Sequence, residues 1–256
     1  MSLCILDDCL YLLDGHFNQL RSLYVDVCMI FCSDRSVNNT KELPSLKCFC
    51  LHCKTITTVY DELVVPLLHR MSNLEKLDLS ITVHERKTVF DGGIFKSVRE
   101  VSLFDERPFE HEFFLQIAQS FPFLEKLCVR NYERQMYKEC SKSINGKQHL
   151  SIIKYPYLKQ LNIICPCKDY HEQFLFDTKT CLPFDVRVSM YYKRVKQVTC
   201  NFTSNRTRNN CAKMNYVNLY IRIKIVGDPE NFCGETRELS EHIKSYFPRT
   251  QIDCLL

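Results

Sequence analysis

One spacing of apolar residues recurs six times along the chain and limits its fold more than any other feature. In residues 71–79 the side chains of Leu74, Leu77 and Leu79 stand at relative positions 0, +3 and +5, with polar residues between them. Such spacing is typical of a short strand that sends alternate side chains into a core. The same spacing occurs in five other segments: Leu20/Leu23/Val25, Leu46/Phe49/Leu51, Val98/Val101/Leu103, Leu124/Leu127/Val129 and Leu158/Leu161/Ile163. We therefore predict six similar strands.

The distances between these segments indicate the kind of repeat. Their first apolar residues are separated by 26, 28, 24, 26 and 34 residues. Leucine-rich repeats span roughly 20–29 residues, with one strand in each unit. The sequence thus predicts an α/β fold, a leucine-rich-repeat solenoid of the ribonuclease-inhibitor-like horseshoe type. In that fold a parallel sheet lies on the concave side and helices lie on the convex side. The last distance is too long, which indicates an insertion at about 131–154.

A single solenoid domain is predicted over residues 1–256, because no tract of low complexity divides the chain. Residues 1–16 are apolar enough to cap the first repeat, since an uncovered solenoid end exposes its core. The six repeats occupy residues 17–163. Residues 164–256 are predicted to hold irregular repeats and a C-terminal cap.

Elements outside the six strands are predicted from periodicity and from breaker residues. Apolar residues at helical spacing predict helices at 61–70, 109–121 and 236–247, the first one bent at its proline. Residues 184–199 alternate over part of their length and are predicted as one or two strands, whereas 201–211 are polar and are predicted as a loop. Pro44, Pro122 and Pro156 each precede a first apolar residue by two positions, where a proline would lead the chain extended into the strand. Cys28, three residues after Val25, is predicted to turn inward.

Composition excludes several classes of protein. No apolar run reaches the roughly 18 residues that cross a bilayer, and two aspartates occupy the N-terminus where a secretory signal carries basic residues. We therefore expect no membrane partner and a cytoplasmic protein, with the nucleus as the alternative compartment. The sixteen cysteines are then expected to be free thiols. A net charge of +4 gives no basis for a nucleic-acid partner, and the basic residues of 187–213 are interpreted as a solvated rim.

No cluster of chemically reactive residues predicts an enzyme. Cys48, Cys50 and Cys53 lie close together, but a zinc site needs four ligands and the next cysteine pair is four repeats away. His111 begins a sequence that lacks the second histidine of a metalloprotease helix, so we interpret it as a solvated residue. We expect no catalytic residues, no metal and no cofactor.

The side chains between the apolar positions are the predicted functional surface. They would form two columns on the open side of the sheet, where mixed polar and charged residues favour a folded protein partner. The two cysteines of the second strand, Cys48 and Cys50, would also face this side. The candidate protein-binding residues are Ser22, Tyr24, Lys76, Asp78, Glu100, Ser102, Lys126, Cys128, Gln160 and Asn162.

Three stretches resemble the F-box-type leucine-rich-repeat proteins of invertebrates. They are DELVVPLLHRMSNLEKLDLS at 61–80, VSLFDERPFEHEFFLQIAQSFPFLEKLCV at 101–129 and TCLPFDVRVSMYYKRVKQVTCNFTSNRTRNNCAK at 180–213. The resemblance implies that the repeats select the substrate of a ubiquitin ligase. An F-box, which would recruit the ligase adaptor, needs about 40–50 residues. Because only 16 precede the first predicted repeat, we expect the resemblance to cover the repeat region alone, without the F-box. The alternative is a structural or regulatory scaffold with no link to a ubiquitin ligase.

Overall fold

The computed structural model describes residues 2–13, 19–31, 41–84, 90, 92–136, 151–165, 167–220 and 241–255. In these residues the chain is an α/β protein with one large parallel sheet and flanking helices. The ten strands of this sheet lie side by side in their order along the chain, and every pair is parallel. They are β1 (Ser2–Ile5), β2 (Ser22–Met29), β3 (Cys48–Cys53), β4 (Lys76–Ser80), β5 (Glu100–Asp105), β6 (Lys126–Asn131), β8 (Gln160–Ile164), β10 (Val186–Tyr191), β11 (Met214–Tyr220) and β12 (Gln251–Leu255). Two further strands, β7 (Ile153–Lys154) and β9 (Thr180–Cys181), pair with each other in parallel.

The six strands predicted from the apolar spacing are confirmed as β2, β3, β4, β5, β6 and β8. Their apolar residues are buried, except that Leu20 is half-buried. Equivalent residues lie beside each other across the sheet, as Leu77 does between Phe49 and Val101. Stacking like upon like makes a continuous apolar layer, and each fully buried side chain of this kind contributes about 1.5–3 kcal/mol.

Helices cover the apolar side of the sheet. They are α1 (Leu6–Leu13), α2 (Val65–His69), α3 (His111–Ser120), α4 (Lys168–Leu175), α5 (Tyr192–Val198), α6 (Asn205–Cys211) and α7 (Glu241–Tyr246). The predicted irregularity at Pro66 is confirmed, because a wider π-helical turn, Tyr60–Val64, precedes α2 and the proline lies at its start. The predicted helix at 109–121 is α3, and it buries Phe113, Phe114 and Ile117. Only the end of the predicted helix 236–247 lies within the described residues, as α7.

The prolines before the strands occupy tight turns, so the prediction of extended chain there is wrong. The N–H of Leu46 donates to the Leu43 carbonyl at 3.2 Å, and the equivalent bond from Leu124 to Phe121 is also 3.2 Å. Pro44 and Pro122 each hold the second position of such a turn, where the fixed φ of proline fits. The same turn occurs without proline before β4 and β5. The proline therefore favours a turn that every one of these units makes.

The segments predicted to cap the two ends of the solenoid each add a strand to the sheet. The predicted N-terminal cap is β1 followed by α1, which buries Leu6, Leu10 and Leu13. The predicted C-terminal cap contains β12, which pairs with β11. The insertion at 131–154 falls largely outside the described residues.

In the C-terminal third, one prediction is confirmed in part and another is wrong. Within 184–199 one strand is present as β10, but the residues that follow form a helix, α5. Val195 and Val198 are buried as expected, but from this helix. The polar segment 201–211 contains helix α6 and buries Thr207 and Asn210, so it is not a loop.

Candidate functional site

The open face is the side of the sheet opposite the apolar core, formed by residues that alternate with the buried ones. Backbone pairing aligns these residues in columns that run across the strands. All ten residues predicted for protein binding lie on this face, in two adjacent columns. None of them is fully buried. The predicted placement follows from the alternation of a strand, because one face of each strand is committed to the core.

The first column carries the charges. It runs through Ser22, Cys48, Lys76, Glu100, Lys126 and Gln160, and the pairing of β8, β10, β11 and β12 continues it through Arg187, Tyr216 and Gln251. The Glu100 carboxylate lies between two ammonium groups, 3.8 Å from Lys76 Nζ and 3.6 Å from Lys126 Nζ. All three side chains are more than a third exposed, so each pair contributes at most about 1 kcal/mol to stability. These charges remain available to a partner.

The second column is made of smaller polar groups around one half-buried acid. It runs through Tyr24, Cys50, Asp78, Ser102, Cys128 and Asn162. Burial raises the pKa of the Asp78 carboxyl above its ordinary value, and the nearby cations Lys76 and Arg130 only partly offset it. Burial likewise raises the pKa of the Cys128 thiol. At the first strands, the Cys48 thiol donates to the Tyr24 hydroxyl at 3.4 Å.

A third column was missed by the sequence interpretation. It continues the alternation by two residues beyond the second column, through Asp26, His52, Ser80, Phe104, Arg130 and Ile164, with Tyr191 and Tyr220 at the same level on β10 and β11. Its early end is polar, since His52 Nδ1 lies 3.1 Å and Lys54 Nζ 3.8 Å from the Asp26 carboxylate. Its later end is largely aromatic. The alternation of inward and outward residues extends to these positions. They were missed because the apolar triplets used to identify the strands end one residue earlier.

A row of charged residues borders the open face at the N-terminal ends of the strands. The carbonyl of each of the first five members accepts two successive N–H groups of the next unit, as Arg21 does from Lys47 and Cys48 at 2.8 and 3.1 Å. The row consists of Arg21, Lys47, Glu75, Arg99, Glu125 and Lys159. Their side chains also pair, with 2.6 Å between Lys47 Nζ and the Glu75 carboxylate. A cleft of about 600 Å³ opens beside this row. The pairs help to hold neighbouring units in register, and the cleft is lined by three cations, Arg21, Lys47 and Arg99, and by one acid, Glu75.

The cysteine cluster of β3 is divided between the two sides of the sheet. Cys48 and Cys50 lie on the open face as predicted, whereas Cys53 is buried with its thiol 3.2 Å from the Thr55 carbonyl. Among the described residues, no three His, Cys, Asp or Glu side chains are grouped to hold a metal, and no disulfide joins the cysteines. Cys28 is exposed, so its predicted inward turn is wrong; the buried residue at that level is Val27.

His111 is not the solvated residue that the sequence predicted. It is half-buried at the start of α3, with Nδ1 3.2 Å from the Gln173 side-chain oxygen and Nε2 3.0 Å from the Ser151 carbonyl. These contacts join α3 to α4 and to the segment before β7. They explain the residue as a link between elements rather than as part of a reactive site.

Three basic residues of 187–213 lie over aromatic rings from separate segments of the chain. Arg206 lies over the Phe176 ring at 4.2 Å, Arg208 over Tyr246 at 5.6 Å and Lys213 over Phe184 at 5.8 Å. These three cations are thus each associated with a different ring. A phosphate backbone would require several cations along one track.

Comparisons with protein-family models, with curated protein sequences and with solved structures found no match to this chain. No helix in the described part of the chain is long and apolar enough to cross a membrane.

Proposed function

We propose that this chain is a leucine-rich-repeat array of the horseshoe type and that its open face binds a protein. The observation that carries the proposal is the alignment of equivalent residues from neighbouring parallel strands, nine of them in the first column, into columns of mixed chemistry. A parallel sheet covered on one side only offers one broad surface whose side chains can vary independently of the core. Neither the core nor the backbone has to change when the surface does.

The composition of the open face favours a folded protein over a polyanion. Glu100 stands between Lys76 and Lys126, and the half-buried Asp78 lies in the next column. Alternating charges of this kind select a partner with complementary charges and repel one with the wrong pattern. A nucleic acid would meet acids as often as cations here.

Within this function, we propose the substrate-recognition role of an F-box-like ubiquitin-ligase subunit, as the resemblance of three sequence stretches implies. The second candidate is a stand-alone structural or regulatory scaffold. The two differ in one observable: purification of a ligase subunit recovers the F-box-binding adaptor of the ligase, whereas purification of a scaffold does not.

The binding role is tested by reversing charges on the open face. Tagged protein carrying Lys76→Glu and Lys126→Glu surrounds Glu100 with acids, and we expect its partners to be lost in quantitative affinity purification. The matched control is Lys168→Glu, which reverses an equally exposed lysine that pairs with Glu172 at 3.0 Å on α4. The control should retain the partners. An unchanged set of partners in the double variant would contradict the proposal.

A further inference from the structure

An aromatic patch lies on the open face at the C-terminal ends of β5, β6, β8, β10 and β11. Tyr132 is its most exposed aromatic side chain, at 52% of its accessible surface, and its ring meets that of Phe104 edge-on with 6.0 Å between centroids. A second pair of rings, Tyr191 and Tyr220, is also 6.0 Å apart. The patch consists of Phe104, Arg130, Tyr132, Ile164, Tyr191 and Tyr220.

The two ring pairs belong to one surface. Burial raises the pKa of the Tyr191 hydroxyl, and the nearby Tyr132 and Tyr220 hydroxyls raise it further, while Arg130 opposes them. The Tyr191 hydroxyl therefore lies within electrostatic reach of both other tyrosines and of Arg130. None of the six side chains is fully buried, so the patch is half-open apolar surface rather than core.

Arg130 is the one cation of this patch, and it makes no ion pair or side-chain hydrogen bond within the described residues. The acids of the open face are mostly engaged elsewhere: Asp26 with His52, Glu100 with two lysines, and Asp253 with the Tyr216 hydroxyl. Arg130 thus presents an exposed guanidinium beside aromatic rings. The Asp78 carboxylate lies near enough to feel its charge but forms no ion pair with it among the described residues. A carboxylate from outside the chain would satisfy its donors.

From these observations we infer that the aromatic patch binds a short segment of a partner protein, with an apolar anchor side chain next to an acidic residue. Tyrosine, phenylalanine and arginine are enriched at the centres of protein interfaces, where rings bury large areas at low entropic cost. Five adjacent strands span about 19 Å, and an extended chain covers that distance with about six residues. The inference rests on the proposed function and names the chemistry of its partner.

A single-stranded nucleic acid is the other occupant that stacking rings and an arginine could accept. The patch favours the peptide because Arg130 is its only cation. The exposed residues just beyond the ends of β5 and β6 are mixed in charge, Glu106 next to Arg107 and Glu133 next to Arg134, and do not make a cationic track. One guanidinium matches one or two carboxylates. It does not match a phosphate at every nucleotide.

The test uses fluorescence anisotropy with octapeptides that carry Leu or Phe in the two central positions, each flanked by Asp, Asn or Lys. We expect the Asp peptides to bind at concentrations below about 1 mM, and at least tenfold more tightly than their Asn counterparts. Arg130→Gln should abolish this difference by removing the charge while keeping a polar side chain. Arg249→Gln, which changes an exposed arginine in the turn before β12, should leave it unchanged. Tyr132→Ala should weaken the Asp and Asn peptides alike.

Three results would overturn the inference: equal binding of the Asp and Asn peptides, a preference for Asp that persists in Arg130→Gln, or tighter binding of an oligouridine than of the peptides. Its failure can be separated from failure of the proposed function. If the peptides fail while Lys76→Glu with Lys126→Glu still loses its partners, only the chemistry of the bound segment is refuted. If the peptides bind as expected while that double variant keeps every partner, peptide binding by the aromatic patch is supported and partner binding through the charged columns is refuted.

Discussion

His171 makes the stability of this protein depend on pH in a way that can be worked out from its contacts. It lies on α4 with no exposed surface. Its Nε2 accepts a hydrogen bond from the Tyr191 N–H at 3.4 Å, so this nitrogen must carry a lone pair. The ring proton is then on Nδ1, which donates to the Cys167 carbonyl at 3.3 Å. The neutral ring forms both hydrogen bonds, whereas a protonated ring has no lone pair on Nε2 to accept the Tyr191 N–H.

Burial lowers the pKa of His171 from 6.5 to about 4, with a smaller contribution in the same direction from Arg194. Because the folded-state pKa lies below the unfolded one, the neutral histidine is fully accommodated above about pH 6.5. Stability is lost as the pH falls from there toward 4, since the unfolded chain takes up a proton that the folded chain refuses. Each pKa unit is worth 1.36 kcal/mol, so the whole shift corresponds to about 3 kcal/mol. Between about pH 7 and pH 5 the expected loss is about 2 kcal/mol.

The assay is urea unfolding, followed by circular dichroism, at a series of pH values for the wild type and for His171→Gln. Glutamine remains neutral throughout and can still accept and donate a hydrogen bond. The carboxylates contribute equally to both proteins, so the difference between their unfolding free energies isolates the histidine. We expect the wild type to lose about 2 kcal/mol more than the variant on acidification from about pH 7 to pH 5. Parallel pH profiles would refute the reasoning.

Three further predictions concern the core and the open face. Asp78→Asn should raise the free energy of unfolding near neutral pH, because burial raises the pKa of Asp78 and penalises its charged form. In urea unfolding, the stability gained by the variant should shrink as the pH falls and Asp78 becomes protonated. A stability difference that stays constant or changes sign would contradict this prediction. Phe114→Ala should cost about 3–5 kcal/mol in the same measurement, whereas Phe184→Ala, at a side chain that is 69% exposed, should stay within about 0.5 kcal/mol; equal effects would refute the assigned core. Asn131→Leu should cost about 1–3 kcal/mol, because the buried amide donates to the Arg107 carbonyl; a neutral effect would mean that this carbonyl finds another donor.

The strands of the sheet could be predicted because the residues that determine each strand lie within a few positions of one another in the sequence. Each unit repeats the same three apolar positions, as at Leu74, Leu77 and Leu79, and the spacing alone determines which face is buried. The repetition at a nearly constant distance also predicted parallel neighbours in chain order. The same alternation placed all ten candidate residues on the open face.

Helix α6 could not be predicted from hydropathy because it is buried through hydrogen bonds rather than through apolar contact. The Asn210 side chain donates to the Thr180 carbonyl at 2.6 Å and to the Phe174 carbonyl at 3.1 Å, while its oxygen accepts from the Leu182 N–H. Thr207 is buried one turn earlier. Polar residues that satisfy the backbone of other elements look like loop residues in a sequence, since their partners are distant along the chain. Ser204, just before the helix, was the one local signal of a helix start.

The aromatic patch escaped prediction for a different reason, and that reason bears on how the open face is used. The apolar triplets fix each strand only as far as its second outward position, so the third depends on how far pairing continues. On β5 and β6 the pairing extends to Phe104 and Arg130, which therefore stand side by side. On β2 and β3 the same level holds Asp26 and His52 instead. The third column thus changes from polar to aromatic across one sheet while the core beneath it stays leucine-like. Because no core residue requires rings at these outward positions, the place to look for a partner is the half of the open face where they occur.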